Sequence, residues 1–203
     1  RNIKIYQSYD TSLFVSEALQ EVIFTLCFAM FLVTIIILVF LKNIKSTLIP
    51  VVTVPISIVS TFIFLNIFGF SLNLITLLAL VLCTGLVIDD SIVMLENIHK
   101  KIEEGESKFQ ASINGSKEVL FAILSTSVVL ISIFMPIIFL EGDTAKLFLE
   151  LSITIISAVF FSTVISITLT PMLCSKILNH SKQKKQSKPF LEFYLKLLKF
   201  LLQ

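Results

Sequence analysis

Five long apolar runs, separated by short polar stretches, dominate the sequence. They occupy residues 22–41, 48–68, 72–95, 119–140 and 148–174. The first contains twenty consecutive uncharged residues, and at a rise of about 1.5 Å per residue that length matches a hydrocarbon core of about 30 Å. The pattern predicts an all-α polytopic membrane protein with five transmembrane helices over residues 21–175, and a tight turn at residues 69–71.

The two ends of the chain have a different pattern. Residues 1–20 begin as alternating apolar and polar positions and then give a helix start at Asp10-Thr11-Ser12, which predicts the end of a periplasmic domain leading into the membrane. Residues 176–203 combine a lysine-rich linker with apolar residues at helical spacing, among them Phe193, Leu197 and Leu201. They predict a C-terminal interfacial amphipathic helix on the cytoplasmic face; packing on a soluble domain is the alternative.

Composition supports a membrane protein and excludes several other classes. Hydrophobic residues make up 56% of the chain and charged residues 15%, with a mean hydropathy of +0.96, whereas soluble domains average about 45–50% and about 25%. With five Gly and five Pro, the composition favours helices over a β-barrel. Cys27, Cys83 and Cys174 lie inside apolar runs without a CxxC motif, which favours plain packing over a disulfide or zinc site.

The lysines predict the orientation of the five helices. Of the 16 Lys and Arg residues, 13 fall in the connections 42–45 and 100–117 and in the C-terminal segment from 176 onwards. Because short loops that carry Lys and Arg remain cytoplasmic, we expect the N-terminus outside and the C-terminus inside. Position 105 and the tail near position 187 would face the cytoplasm, and position 142 the outside.

Asp89 and Asp90 are the sharpest chemical feature, because they are adjacent carboxylates inside the third apolar run. Each costs at least about 2.5 kcal/mol to insert as a charge, so acidic residues at this depth generally face a bundle interior or a water path and serve ions or protons. The pair predicts a proton-binding site. A structural ion pair is the alternative, but no Lys, Arg or His within the five runs could supply its cation.

Other polar residues have weaker implications. Glu96 shares a face with Asp89 but lies one turn from the predicted cytoplasmic boundary, so a solvated helix end is the simpler interpretation. Gly85 would let a neighbouring helix approach one turn before the carboxylates, and Glu150 would snorkel at the outer start of the fifth run. His99 and His180 are expected in solvated loops. No phosphate-binding loop, metal cluster or nucleophile elbow is present in the sequence, so ATP is not expected as the energy source.

The stretch GLVIDDSIVMLENI resembles the fourth transmembrane helix of resistance-nodulation-division (RND) efflux transporters, where two adjacent aspartates belong to the proton relay. FMPIIFLEGDTAKLF and SITIISAVFFSTVISITLTPMLC resemble the fifth-to-sixth helix link and the sixth helix. Nearly the whole chain is similar to helices two to six of the first repeat. The double Asp favours the hydrophobe and amphiphile multidrug branch over the heavy-metal branch, which stays an alternative.

This resemblance implies drug/proton antiport across the bacterial inner membrane, driven by the proton gradient without a cofactor. Asp89 and Asp90 would carry the relay, with Gly85 and Glu96 as possible supporting residues. The implied partners are membrane lipid, the rest of the transporter, two further copies in a homotrimer, a periplasmic adaptor and an outer-membrane channel, but no nucleic acid. Family members are much longer and draw cationic relay residues from a second repeat, which is absent here. A truncated, non-transporting remnant or interaction module is therefore the other hypothesis.

Overall fold

The described part of the chain consists of helices and short turns. The structure, a computed structural model, describes residues 11–41 and 44–178. The helices are α1 (Thr11–Leu41), α2 (Ile44–Ile67), α3 (Leu74–Glu103), α4 (Lys108–Phe134) and α5 (Asp143–Ile177), with a short 3-10 helix (Met135–Phe139) between α4 and α5. The described residues contain no strand, and all five helices are long and apolar enough to cross a membrane.

The predicted fold class is therefore confirmed in its five helices. The predicted helix start at Asp10-Thr11-Ser12 falls at the edge of the described residues and stays a prediction. The strand-like segment at residues 1–10 and the amphipathic helix beyond residue 178 lie outside the described residues. We call the end of the bundle that carries the α3–α4 turn the inner end, and the opposite end the outer end.

Helices α3 and α5 form the centre of the described bundle. Helix α5 packs against α2, α3 and α4, and α3 packs against all four other helices, whereas α1 contacts α2 and α3 at the periphery. Small and hydroxyl-bearing residues occupy the contacts between α2, α3 and α5; those buried include Thr53, Ser57, Ala79, Thr84, Ser91, Ala158, Ser162 and Ser166. Small residues let helix backbones approach closely, which matters in lipid because burial of apolar surface from water does not drive helices together there. Large apolar residues such as Phe24, Phe121 and Val128 remain exposed and face outward.

The turn between α2 and α3 forms where the sequence predicts it. Gly69 adopts a φ of 75°, a left-handed conformation that glycine takes without strain, and the amide of Phe70 donates to the carbonyl of Leu65 at 3.0 Å. Asn73 then caps α3: its side-chain oxygen accepts from the amides of Ile75 and Thr76, at 2.9 and 3.0 Å. These bonds satisfy two amides that a helix start leaves without partners.

The inner end of α3 corrects two predictions. The helix does not end near Asn97 but continues to Glu103, and the turn that follows contains Gly105 at a φ of 103°. His99 is therefore not in a solvated loop: it lies within α3, is 8% exposed, and its Nδ1 is 3.6 Å from Glu103 Oε1. The hydropathy pattern marks where the apolar run stops, whereas the helix extends two further turns and packs against α4.

Helices α3 and α4 approach most closely at Gly115. A Cβ atom placed on Gly115 would lie 2.9 Å from the Cα of Ile98, closer than real Cβ atoms come to backbone. Beside this contact, Asn97 Nδ2 donates to the carbonyl of Gly115 at 2.8 Å, and Lys101 Nζ lies 2.6 Å from Glu118 Oε1. The inner ends of α3 and α4 are thus joined by a backbone contact, an amide hydrogen bond and an ion pair.

We expect Gly115→Ala to lower the thermal stability of the detergent-solubilised protein, because the added methyl group meets the backbone of α3 rather than a movable side chain. Overpacking of this kind costs about 1–3 kcal/mol. Gly85→Ala is the matched control, since a Cβ there would meet nothing within 4 Å, and the change should be neutral or stabilising by about 0.5–1 kcal/mol. Equal stability of the two variants would contradict the close contact.

Candidate functional site

Asp89 and Asp90 lie near the middle of α3, about 20 Å along the helix axis from each end. The Asp89 side chain is exposed on the surface of the described bundle, and the Asp90 side chain is half-buried. Adjacent residues on a helix point about 100° apart, so the two carboxyl groups share a level but face different directions. Asp90 is turned toward α5.

Ser162 on α5 provides the hydrogen bond to Asp90. Its Oγ lies 3.3 Å from Asp90 Oδ2 and 3.1 Å from the carbonyl oxygen of Val87, one turn earlier on α3. Because a serine hydroxyl has one hydrogen to donate, the two acceptors compete for it. Ser162 can therefore turn toward Asp90 or toward the α3 backbone, depending on the charge of the carboxyl group.

A cavity of about 550 Å³ opens between α3 and α4 in front of both carboxyl groups. Helix α3 contributes Asp89 and Asp90 to its wall, and α4 contributes Ser125 and Thr126. The apolar remainder of the wall consists of Leu86, Val93, Ala122, Ile123, Val129 and Leu130. The Thr126 hydroxyl donates to carbonyls of its own helix. The cavity has room for several water molecules beside the carboxylates, each water occupying about 30 Å³.

Within residues 11–41 and 44–178, no Lys, Arg or His forms an ion pair with Asp89 or Asp90. The ion pairs of this part of the chain lie at the inner end instead, where Lys101 contacts Glu118 at 2.6 Å and Glu104 at 3.6 Å. The hypothesis of a structural ion pair within this segment therefore has no partner for the carboxylates in the described residues.

A chain of buried hydroxyl groups crosses the bundle one residue beyond Asp90. Thr53 Oγ1 on α2 donates to Ser91 Oγ on α3 at 3.2 Å, and Ser91 Oγ is 3.1 Å from Ser166 Oγ on α5. All three residues are at most 1% exposed. The sequence shows many serines and threonines in these helices, but only the packing identifies which of them meet.

The remaining candidate residues are placed apart from this site. Glu96 is exposed on α3, as expected for a solvated position. Gly85 is exposed as well, and a Cβ atom placed on it would meet nothing within 4 Å. Among the described residues, the close approach to a neighbouring helix is found at Gly115. Whether Gly85 or Glu96 supports proton binding stays a prediction.

Glu150 has a partner that the sequence did not reveal. Its Oε2 accepts a hydrogen bond from Nδ2 of Asn73, the residue that caps α3. The outer ends of α3 and α5 are therefore joined through a half-buried carboxylate, which is a more specific role than snorkelling toward the membrane surface. The only available signal was a polar residue near the outer end of each apolar run.

Comparison with known proteins identifies a family of transporters. Residues 1–202 match the AcrB/AcrD/AcrF family. Similar proteins include an uncharacterised transporter of Haemophilus influenzae, 40% identical over 181 residues, and the multidrug resistance protein MdtC of Enterobacter sp., 41% identical over 184 residues. MdtC of Salmonella arizonae is 40% identical over 184 residues.

These alignments cover 89–91% of this chain but only 17–18% of each relative, so the chain spans less than a fifth of the length of the curated relatives it matches. The family match extends over nearly every residue of this chain. The chain belongs to the AcrB/AcrD/AcrF family of RND efflux transporters.

Proposed function

We propose that this chain forms part of the transmembrane domain of a proton-driven efflux transporter, in which Asp89 and Asp90 carry the acidic half of the proton relay. The observation that supports this best is the position of the two carboxyl groups. They lie at mid-depth in a membrane-spanning helix, at the wall of a cavity, without a cationic partner among the described residues. A charged side chain at this depth is costly to insert into the membrane, and acidic residues found there generally serve ion or proton transport.

The cavity and Ser162 suggest how a proton would be held. A carboxylate that takes up a proton from cavity water becomes a neutral carboxylic acid, and releasing the proton restores the carboxylate. The ionised Asp90 attracts the Ser162 hydroxyl, whereas the neutral acid competes less well with the Val87 carbonyl. Protonation would therefore change the contact between α3 and α5, and a ligand that favours one arrangement over another shifts the population.

The exposed side of the site indicates where the rest of a transporter would pack. Asp89, Val93 and Val129 line the cavity and are exposed on the described bundle. A charged residue facing lipid is unfavourable, so this side suits a neighbouring protein surface that carries a cation. Assembly with the remaining part of the transporter, a homotrimer, a periplasmic adaptor and an outer-membrane channel all belong to this proposal.

Two relatives are named as multidrug resistance proteins, and the proposed substrates are accordingly hydrophobic or amphiphilic compounds.

The test is export by vesicles that contain the full-length transporter carrying this segment, under an imposed pH gradient. We expect a fluorescent amphiphile to be exported only while the gradient lasts, and an ionophore that collapses the gradient should stop export. Export that continues without the gradient would contradict proton coupling, and export of divalent metal ions alone would favour the heavy-metal branch.

The proposed location is the bacterial inner membrane, with the α3–α4 turn in the cytoplasm, because lysines concentrate at that end of the bundle.

We expect a cysteine at position 104 to resist a membrane-impermeant thiol reagent in intact cells, and a cysteine at position 141 to react. Glu104→Cys and Glu141→Cys are better reporters than substitutions of Gly105 and Gly142, whose φ values of 103° and 117° disfavour other residues. Cys27, Cys83 and Cys174 should first be replaced by Ala. Reaction at 104 but not at 141 would reverse the orientation.

A further inference from the structure

Two buried hydroxyl groups in the inner half of the bundle have no hydrogen-bond partner among the described residues: Ser46 Oγ on α2 and Thr170 Oγ1 on α5. Both residues are 0% exposed. Buried polar atoms in proteins nearly always have partners, and where protein atoms do not supply one, ordered water commonly does.

Two prolines leave two backbone carbonyl groups without a helical donor in the same inner half of the bundle. Pro50 lies inside α2 and Pro171 inside α5. Because proline has no amide hydrogen, the carbonyl groups four residues earlier, at Ser46 and Ile167, lose their usual helical donor. The two helices therefore bring two hydroxyl groups and two carbonyl groups that lack a regular partner, and a buried water requires about two to four such partners.

These groups continue the buried hydroxyl chain toward the inner end. Thr53 and Ser166 contact the same Ser91 hydroxyl, so they lie at one level of the bundle. Thr170 is one turn beyond Ser166, about 6 Å nearer the inner end, and Ser46 is two turns from Thr53, about 10 Å nearer. Helices α2 and α5 pack against each other, and the helical rise places Thr170 and Ser46 at two successive levels toward the inner end.

We propose that ordered waters occupy the contact between α2 and α5 at Ser46 and Thr170, and that they form the path by which a proton leaves Asp90 for the inner end of the bundle. The path differs from the α3–α4 cavity, because the hydroxyl groups that define it lie on α2, α3 and α5. Ser162 bonds to Asp90, and Ser166 belongs to the hydroxyl chain. The two serines are one turn apart on α5, about 6 Å, and one water can bridge that gap.

In the transfer, the protonated Asp90 gives its proton to the first water and remains as a carboxylate. Each water or hydroxyl passes on one proton and accepts another, so the chain ends as it began and one hydronium ion appears at the inner end. The role of the path in transport rests on the proposed function, whereas the presence of the waters does not.

Hydroxyl-radical footprinting of the full-length transporter in lipid nanodiscs tests for the waters directly. X-ray irradiation makes radicals from bound water, and these oxidise nearby sulfur atoms. Cys174 is 0% exposed and one turn beyond Thr170, in an apolar cluster with Ile49, Met94 and Leu178. Cys83 is 1% exposed, in an apolar cluster with Val54, Val87 and Ile155. The two thiols are therefore matched in burial and in apolar surroundings, and only Cys174 lies next to the proposed waters in sequence. We expect Cys174 to be oxidised several-fold faster than Cys83. Equal rates would overturn the proposal.

The double variant Ser46→Ala with Thr170→Val removes both hydroxyl groups and tests the path. We expect Cys174 oxidation to fall to the rate of Cys83, and gradient-driven export to become about tenfold slower, the factor given by about 1.4 kcal/mol on the limiting barrier. The control is Ser60→Ala with Thr168→Val, whose hydroxyl groups bond only to carbonyls of their own helices, at 2.8 and 2.6 Å. It should change neither measurement.

If the double variant loses Cys174 oxidation but exports like the control, the waters are structural only and the proposed path is wrong. If Asp90→Asn exports normally while Cys174 is oxidised rapidly, the proposed function fails but the hydration is upheld. The footprinting and export measurements therefore distinguish the two failures.

Discussion

The rate of export driven by a pH gradient is expected to fall at least about a hundredfold when Asp89 or Asp90 is replaced by Asn. This factor is the lower end of the rate enhancement that a positioned proton donor gives. Asn keeps the size of a protonated Asp and can still form hydrogen bonds, but it has no proton to release. The site is then held in a state that resembles the neutral acid, and the cycle stops. Membrane insertion should be unchanged or improved, because each variant removes a charge from the bilayer.

The matched control for this experiment is Glu96→Gln, which makes the same chemical change on the same helix. Glu96 is exposed and lies two turns nearer the inner end than Asp89, so the variant should retain most of the export. Ser162→Ala should have an intermediate effect, since it removes the hydrogen bond to Asp90 but leaves the carboxyl group. Near wild-type export by either Asn variant would show that its carboxylate is not an essential proton carrier.

The largest loss of stability is expected for Asn73→Ala. This change removes the side-chain cap of α3, typically worth about 1 kcal/mol, and it leaves the half-buried Glu150 carboxylate without its donor, which costs about 1–3 kcal/mol. We therefore expect a total of about 2–4 kcal/mol, measured as equilibrium unfolding in mixed lipid–detergent micelles.

Asn73→Asp separates the two roles of this residue. Asp is as good a helix cap as Asn, but it cannot donate to Glu150 and places a second carboxylate beside it. We expect the cap to survive while the contact with Glu150 is lost. Glu150→Gln should be mild, because its side-chain oxygen can still accept from Asn73. If Asn73→Asp were as stable as wild type, the bond between the outer ends of α3 and α5 would contribute nothing.

The sequence was sufficient to predict the five helices and the acidic pair, because both depend on local composition. A run of about twenty apolar residues is typical of a transmembrane helix. Two charged residues within such a run can be recognised in the sequence without knowing how the helices pack. The tight turn at Gly69 was predictable for the same reason, since two apolar runs that nearly touch leave no room for a longer loop.

Features that depend on which helix faces meet could not be predicted. Gly85 lies inside an apolar run and Gly115 in the polar stretch before the fourth run, yet among the described residues only Gly115 closely approaches a neighbouring helix. His99 follows the apolar run and appeared solvated, but the extension of α3 buries it. Among the many hydroxyl groups, nothing in the sequence distinguishes Ser162, which bonds to Asp90, from Thr168, which bonds only to its own helix.

The contacts between α3 and α5 have a mechanical consequence. Both helices run from the outer to the inner end, and hydrogen bonds join them at three levels: Asn73 to Glu150, Ser162 to Val87 and Asp90, and Ser91 to Ser166. The partners are always 72 to 77 residues apart, over about 27 Å of helix. Sliding one helix by a full turn would break every bond at once, so α3 and α5 are expected to stay in register even when Ser162 changes its acceptor. A protonation event at Asp90 would then tilt this helix pair against α2 and α4, and would not move α3 alone along its axis.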